Sequence, residues 1–207
     1  MTDLDAQVRE ADIDRWLSSR FVTDLRARAD LITLYAFEAE LMAIPSRVTQ
    51  PLLAEMRFTW WAEQMDGVFS GVARKGHPVL EALTGLVERH GLPRAPFDAL
   101  IEAHIGRVHG DPHDLDAFYV GPMQIAAQVL AGEGHEAAVV DAGRVRGLGQ
   151  TGRGDEAKAL RRQANSALKA LPVAAFPAVA PAALVRTDAP EFLKRLTLVA
   201  ATVRGRI

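Results

Sequence analysis

Residues 31–48, LITLYAFEAELMAIPSRV, decide the class of fold. Leu31, Leu34, Tyr35 and Leu41 recur near one broad face at the helical period, and Thr23 or Asp24 upstream supplies an N-cap. Two carboxylates, Glu38 and Glu40, interrupt this apolar run. A separation of two residues places them about 200° apart around a helix, so one helix cannot bring both to a single ion. They are expected on the helix surface or at a partner-facing edge. Pro45 predicts a kink or a stop.

The same pattern extends in both directions. Residues 4–20 read as a polar, amphipathic helix, and Thr49 with Pro51 opens a long one, PLLAEMRFTWWAEQMDGVFSG, closed at Gly71. Helices follow from Pro78 to Gly91 and from Pro96 through FDALIEAHIGRV, which breaks near Gly110 and Pro112. Residues 114–131 predict a helix bent at Gly121 and Pro122. HEAAVVDAGRVRGLG is helical and fades into QTGRGD, EAKALRRQANSALKAL is strongly helical, and EFLKRLTLVAATVRG is the last helix after a Pro-punctuated run over 171–190. With β-branched alternation scarce and no internal repeat, the expectation is all-α: a single helical bundle of about eight helices spanning residues 1–207.

Composition narrows the function classes. A net charge of −2 lacks the concentrated basic surface that phosphate neutralisation needs, so no nucleic-acid partner is expected. The absence of cysteine removes disulfides, thiolate nucleophiles and Cys-based zinc sites. The acidic, polar N-terminus is unlike a secretory signal, and Pro172, Pro177 and Pro181 interrupt the richest apolar run. The expected location is cytoplasmic, with membrane contact at most peripheral.

Local constellations carry little chemistry by themselves. Trp60 and Trp61, adjacent on a helix, diverge by about 100° and meet different surroundings, as core packing with a helix–helix contact or, alternatively, as the wall of an apolar cavity. His109, Asp111, His113, Asp114 and Asp116 cluster in HGDPHDLD, but Gly110 and Pro112 make this a solvated, helix-capping loop rather than a metal site. GLGQTG at 147–152 matches a dinucleotide fingerprint in letters but lacks the flanking strand, and the RGD at 153–155 is chance. Ser/His/Asp sets with local support, Walker loops and HExxH are absent.

Three blocks carry a resemblance: LYAF at 34–37, EMRFTWWAEQMDGVFSG with HPVLEAL at 55–83, and LPRAPFDALIEA at 92–103. In order and spacing they resemble the squalene/phytoene synthase family, and within it the divergent branch that includes the mitochondrial complex I assembly factor related to phytoene synthase. The fold this implies is the isoprenoid-synthase helical bundle, shorter here than in active members. In those members two DxxxD motifs on facing helices hold Mg²⁺ against allylic diphosphates, because the departing diphosphate builds negative charge. Carried onto this chain, the first motif's aspartates fall on Met42 and Ser46, and a thioether does not suit Mg²⁺. Where the second belongs, the chain reads GLGQTGRGDEAK, with Asp155 and Glu156 but no DxxxD, and a flexible loop over about 150–156 stands for a missing family segment.

The resemblance therefore implies no catalytic residue, no metal and no cofactor: a pseudoenzyme acting as an accessory or assembly factor. Its partners would be proteins such as respiratory complex subunits, with an isoprenoid or lipid as ligand. Tyr35, Phe37, Met42, Phe58, Trp61 and Met123 are the candidate cavity lining. The alternative is an active Mg²⁺-dependent prenyl transferase, a transferase with a rearranged site. It would require Glu38, Glu55, Glu63, Asp66 or Asp111 to converge on a cavity, Glu63 and Asp66 alone having same-face spacing.

Overall fold

The computed structural model describes residues 3–72, 74–184 and 189–207. Among them are eleven α-helices and no strand, so the chain is all-α. The helices are α1 (Leu4–Ala11), α2 (Ile13–Ser19), α3 (Leu25–Arg47), α4 (Pro51–Phe69), α5 (Pro78–His90), α6 (Ala95–Val108), α7 (Gly121–Ala131), α8 (Glu136–Gln150), α9 (Gly154–Ala167), the single turn α10 (Phe176–Val179) and α11 (Glu191–Arg204).

α3 is the axle of the structure. Every residue from 30 to 38 is buried, and α1, α2, α4, α5 and α7 all pack around it. Asp24 caps it, its carboxylate accepting from the Arg26 and Ala27 amides. Pro45 does not stop α3 at once, since the helix runs on to Arg47. A proline here removes only one bond, and the helix ends two residues later in any case.

The single helix expected over residues 4–20 is two. Asp12 takes a non-helical backbone, donates its amide to the Val8 carbonyl and accepts the Arg15 amide on its carboxylate, so it closes α1 and opens α2. The expected bend at Gly121 and Pro122 is a π-helical turn, Asp116–Val120, run directly into α7. α8 lies close against that turn because two of its residues carry no side chain. A Cβ on Gly143 would sit 2.8 Å from the Val120 Cα, and one on Gly147 would sit 2.5 Å from the Tyr119 ring. The flexible loop expected at about 150–156 is instead a turn over 151–153, with α8 and α9 helical on either side of it.

α11 closes the chain against α2. Its Lys194 forms an ion pair with Asp14 at 2.8 Å, both buried, and Leu198 and Ala201 fill the same face. No helix among the described residues is long and apolar enough to cross a membrane.

Candidate functional site

Charged side chains converge where the α1–α2 junction, α3, the π-turn and α8 meet. Along α3, Tyr35, Glu38 and Met42 stand at i, i+3 and i+7, one face of the helix. With Arg15 of α2, Tyr119 of the π-turn and Arg146 of α8 they line a cleft of about 160 Å³. Two cations and two carboxylates neutralise one another there. The Arg15 guanidinium donates to Glu38 and lies 3.6 Å from Asp12, while Arg146 Nη2 donates to Asp12 Oδ2 at 2.9 Å. Arg15 also stacks over the Tyr35 ring, 4.9 Å from its centroid.

The electrostatics follow from burial and partner count. Burial pushes the Glu38 carboxyl above its ordinary range, and Arg15 only partly opposes this. Burial acts on Asp12 too, but Arg146 and Arg15 outweigh it and hold that carboxyl below its ordinary range. Burial also raises the Tyr35 and Tyr119 phenols, which therefore stay protonated at neutral pH. Three buried atoms in the cleft, Glu38 Oε1, Arg146 Nε and Arg146 Nη1, have no protein partner.

The expectation that Glu38 belongs to the helix surface is overturned, for it is 7% exposed and held by Arg15. Glu40 is half-buried and accepts from Gln7 Nε2 at 2.7 Å. Of the candidate cavity residues, Tyr35 and Met42 border the cleft, Met42 at its rim with 63% of its surface exposed. Phe37, Phe58 and Met123 are packed in the core instead: Phe37 meets Trp61 edge to face at 5.4 Å, and Phe58 stacks on His104 at 4.9 Å. Trp61 is buried, yet with Trp60, His77, Arg47 and Arg57 it lines a separate groove of about 360 Å³.

The acidic candidates do not converge. Glu63, Asp66 and Asp111 are exposed and none borders the cleft; Asp66 pairs with Arg94 at 2.7 Å. Glu55 faces His109 at 3.3 Å. The HGDPHDLD cluster disperses, Asp114 capping the π-turn through the Asp116 and Ala117 amides, Asp116 pairing with Arg144, and His113 stacking on Phe118. The first glycines of GLGQTG lie inside α8, where Gly147 permits close packing and holds no phosphate loop.

Sequence reasoning missed Asp12, Arg15 and Arg146. For Arg146 a signal was present: Val139, Ala142, Gly143 and Arg146 follow the helical period, so the arginine falls on the buried stripe of α8. A cation on an apolar stripe needs a buried anion.

Met42 and Ser46, on which the resemblance would place the first metal motif, offer no carboxylate to a hard divalent cation. Met42 offers a thioether, and the Ser46 hydroxyl donates to the Ala43 carbonyl at 2.9 Å. The carboxylates that line the cleft, Asp12 and Glu38, are engaged by arginines. No group of three or more His, Asp or Glu side chains among the described residues is placed to hold a metal ion.

Comparison with known proteins locates the chain. The squalene/phytoene synthase family model matches residues 8–119, more than half of the sequence, from α1 through the π-turn. No curated protein and no solved structure matches it. The matched span includes α3 and its LYAF block, and the all-α architecture is that of the isoprenoid synthases. The chain belongs to the squalene/phytoene synthase family.

Proposed function

We propose that this chain is a non-catalytic member of its family, a pseudoenzyme that has lost both DxxxD motifs and serves as an accessory or assembly factor, in the manner of the family's respiratory complex I assembly factor. One observation carries the reading. The polar heart of the cleft beside α3 is occupied by the chain's own ion pairs, Arg15 with Glu38 and Arg146 with Asp12, which leave only Glu38 Oε1 and two Arg146 nitrogens unpartnered. A diphosphate with its Mg²⁺ would have to break both pairs and take over two arginines and two carboxylates that already neutralise one another. The size of the cleft points the same way, since about 160 Å³ is well below the ~300–1,000 Å³ of ordinary ligand pockets. This cleft thus suits a diphosphate substrate poorly, and on this reading the chain acts through a protein partner without a cofactor.

The test is direct. Purified protein is incubated with farnesyl or geranylgeranyl diphosphate and Mg²⁺, and hydrocarbon product is measured. The expected result is no product; turnover that EDTA abolishes would overturn the reading in favour of a prenyl transferase with a rearranged site. Co-purification of the tagged chain with respiratory complex I subunits is the positive arm.

A further inference from the structure

The last helix carries two apolar faces, and only one of them is used. Leu198 and Ala201 pack inward beside the buried Lys194–Asp14 pair. Phe192, Leu196, Val199 and Val203 point away from the protein, 44 to 82% exposed. They recur at i, i+4, i+7 and i+11, so at about 100° per residue they form one narrow stripe diametrically opposite the buried face. Four large apolar side chains aligned along three turns make an organised surface, unlike the scattered single hydrophobics that are normal on proteins.

The charge around the stripe says what covers it. The chain as a whole is slightly acidic, with 24 Lys and Arg against 26 Asp and Glu, yet residues 157–207 hold nine Lys or Arg and two Asp or Glu. Within α11, Thr197, Ala200, Ala201 and Arg204 recur at helical spacing along one flank of the stripe. With Arg161 and Arg206 they line a groove of about 310 Å³ that no carboxylate side chain borders. On the opposite flank Arg195 is paired with Glu191, so the uncompensated positive charge lies on the side of the groove. An outward apolar stripe bordered by arginines matches the boundary of an anionic bilayer, where apolar side chains enter the acyl region and guanidiniums meet lipid phosphates.

We propose that the outer face of α11 docks this protein on anionic phospholipid membranes, with Phe192, Leu196, Val199 and Val203 inserted and the groove of Arg161, Arg204 and Arg206 receiving headgroup phosphate. The docking surface lies apart from the cleft and does not depend on the function proposed for it.

The full chain is sedimented with vesicles of phosphatidylcholine alone and of phosphatidylcholine with phosphatidylglycerol. Binding is expected only to the anionic vesicles, and it falls by about tenfold or more between about 0.05 and about 0.5 M salt. Phe192→Ser with Leu196→Ser, and separately Arg204→Gln with Arg206→Gln, each lower binding by about tenfold, with an unchanged thermal midpoint because none of these side chains is in the core. Equal binding to both vesicle types, or to neither, overturns the proposal. So does displacement by inorganic phosphate beyond that caused by chloride of equal ionic strength, which would make the groove a free-phosphate site. A doubled mass in light scattering without vesicles, abolished by Leu196→Ser, overturns it in favour of a second copy of the chain.

Discussion

α3 buries two carboxylates within nine residues of each other, and the protein treats them in opposite ways. Asp30 accepts from the Arg89 guanidinium and lies 2.9 Å from His90 Nε2, so both of its oxygens are engaged. Burial raises its carboxyl, but those partners outweigh burial and hold it below its ordinary range. Glu38 has Arg15 alone, one oxygen is left without a protein partner, and burial wins. His104 is the extreme case, with an unpartnered Nε2 between Phe58 and Phe118, where burial pushes the imidazole down to about 4. The difference separates structural from available polarity. Asp30 ties α3 to α5 and has nothing left to offer, whereas the Glu38 cleft keeps unspent donors and an acceptor.

The largest effect should come from removing the cation that the cleft shares. Arg15→Met leaves Glu38 without a cation and Asp12 with Arg146 as its one cation, so urea denaturation at neutral pH should show a loss of about 3–5 kcal/mol. A loss below about 1 kcal/mol would mean that water already solvates the cleft, and the contrast with Asp30 would collapse.

The histidine comes next. Its folded value lies below the ordinary 6.5, so the unfolded chain binds the proton first and stability is lost as pH falls from 6.5 towards 4. At the acid end the protein should have lost about 3 kcal/mol through this group alone. His104→Phe keeps the aromatic stack and removes the titration, so the difference between the two proteins' stability–pH curves isolates it.

Asp30→Asn should cost about 2 kcal/mol at neutral pH and Glu38→Gln about 1 kcal/mol or less. Their pH dependence is the sharper test. Asp30 is lowered from 3.8, so its contribution appears as pH rises and the cost of Asp30→Asn grows with pH. Glu38 is raised from 4.5, so ionising it weakens the fold and the cost of Glu38→Gln shrinks with pH. Curves of the same sign for the two variants would break the comparison.

Much of the fold was legible because helix signals are local. Pro51, Pro78 and Gly91 act through their own backbone, and the structure ends and begins helices at those residues. The break at Asp12 was not read from the sequence, because a capping aspartate inside an apparently continuous amphipathic run looks like ordinary helix surface. Nor was the cleft. Glu38 was weighed as a metal ligand or as surface because its spacing to Glu40 was visible, while its partner Arg15 lies on another helix. A lone carboxylate in an apolar run specifies that a cation must come to it, but not from where. Arg146 posed the matching half of that question on α8, and only folding joined the two.

The complete burial of residues 30 to 38 makes α3 a clock for the whole molecule. No solvent-facing edge lets this stretch open by itself, so its amide protons should exchange with deuterium only when the entire bundle unfolds. Their exchange would then report global stability, while amides of the outlying α11 would exchange through cheaper, local excursions.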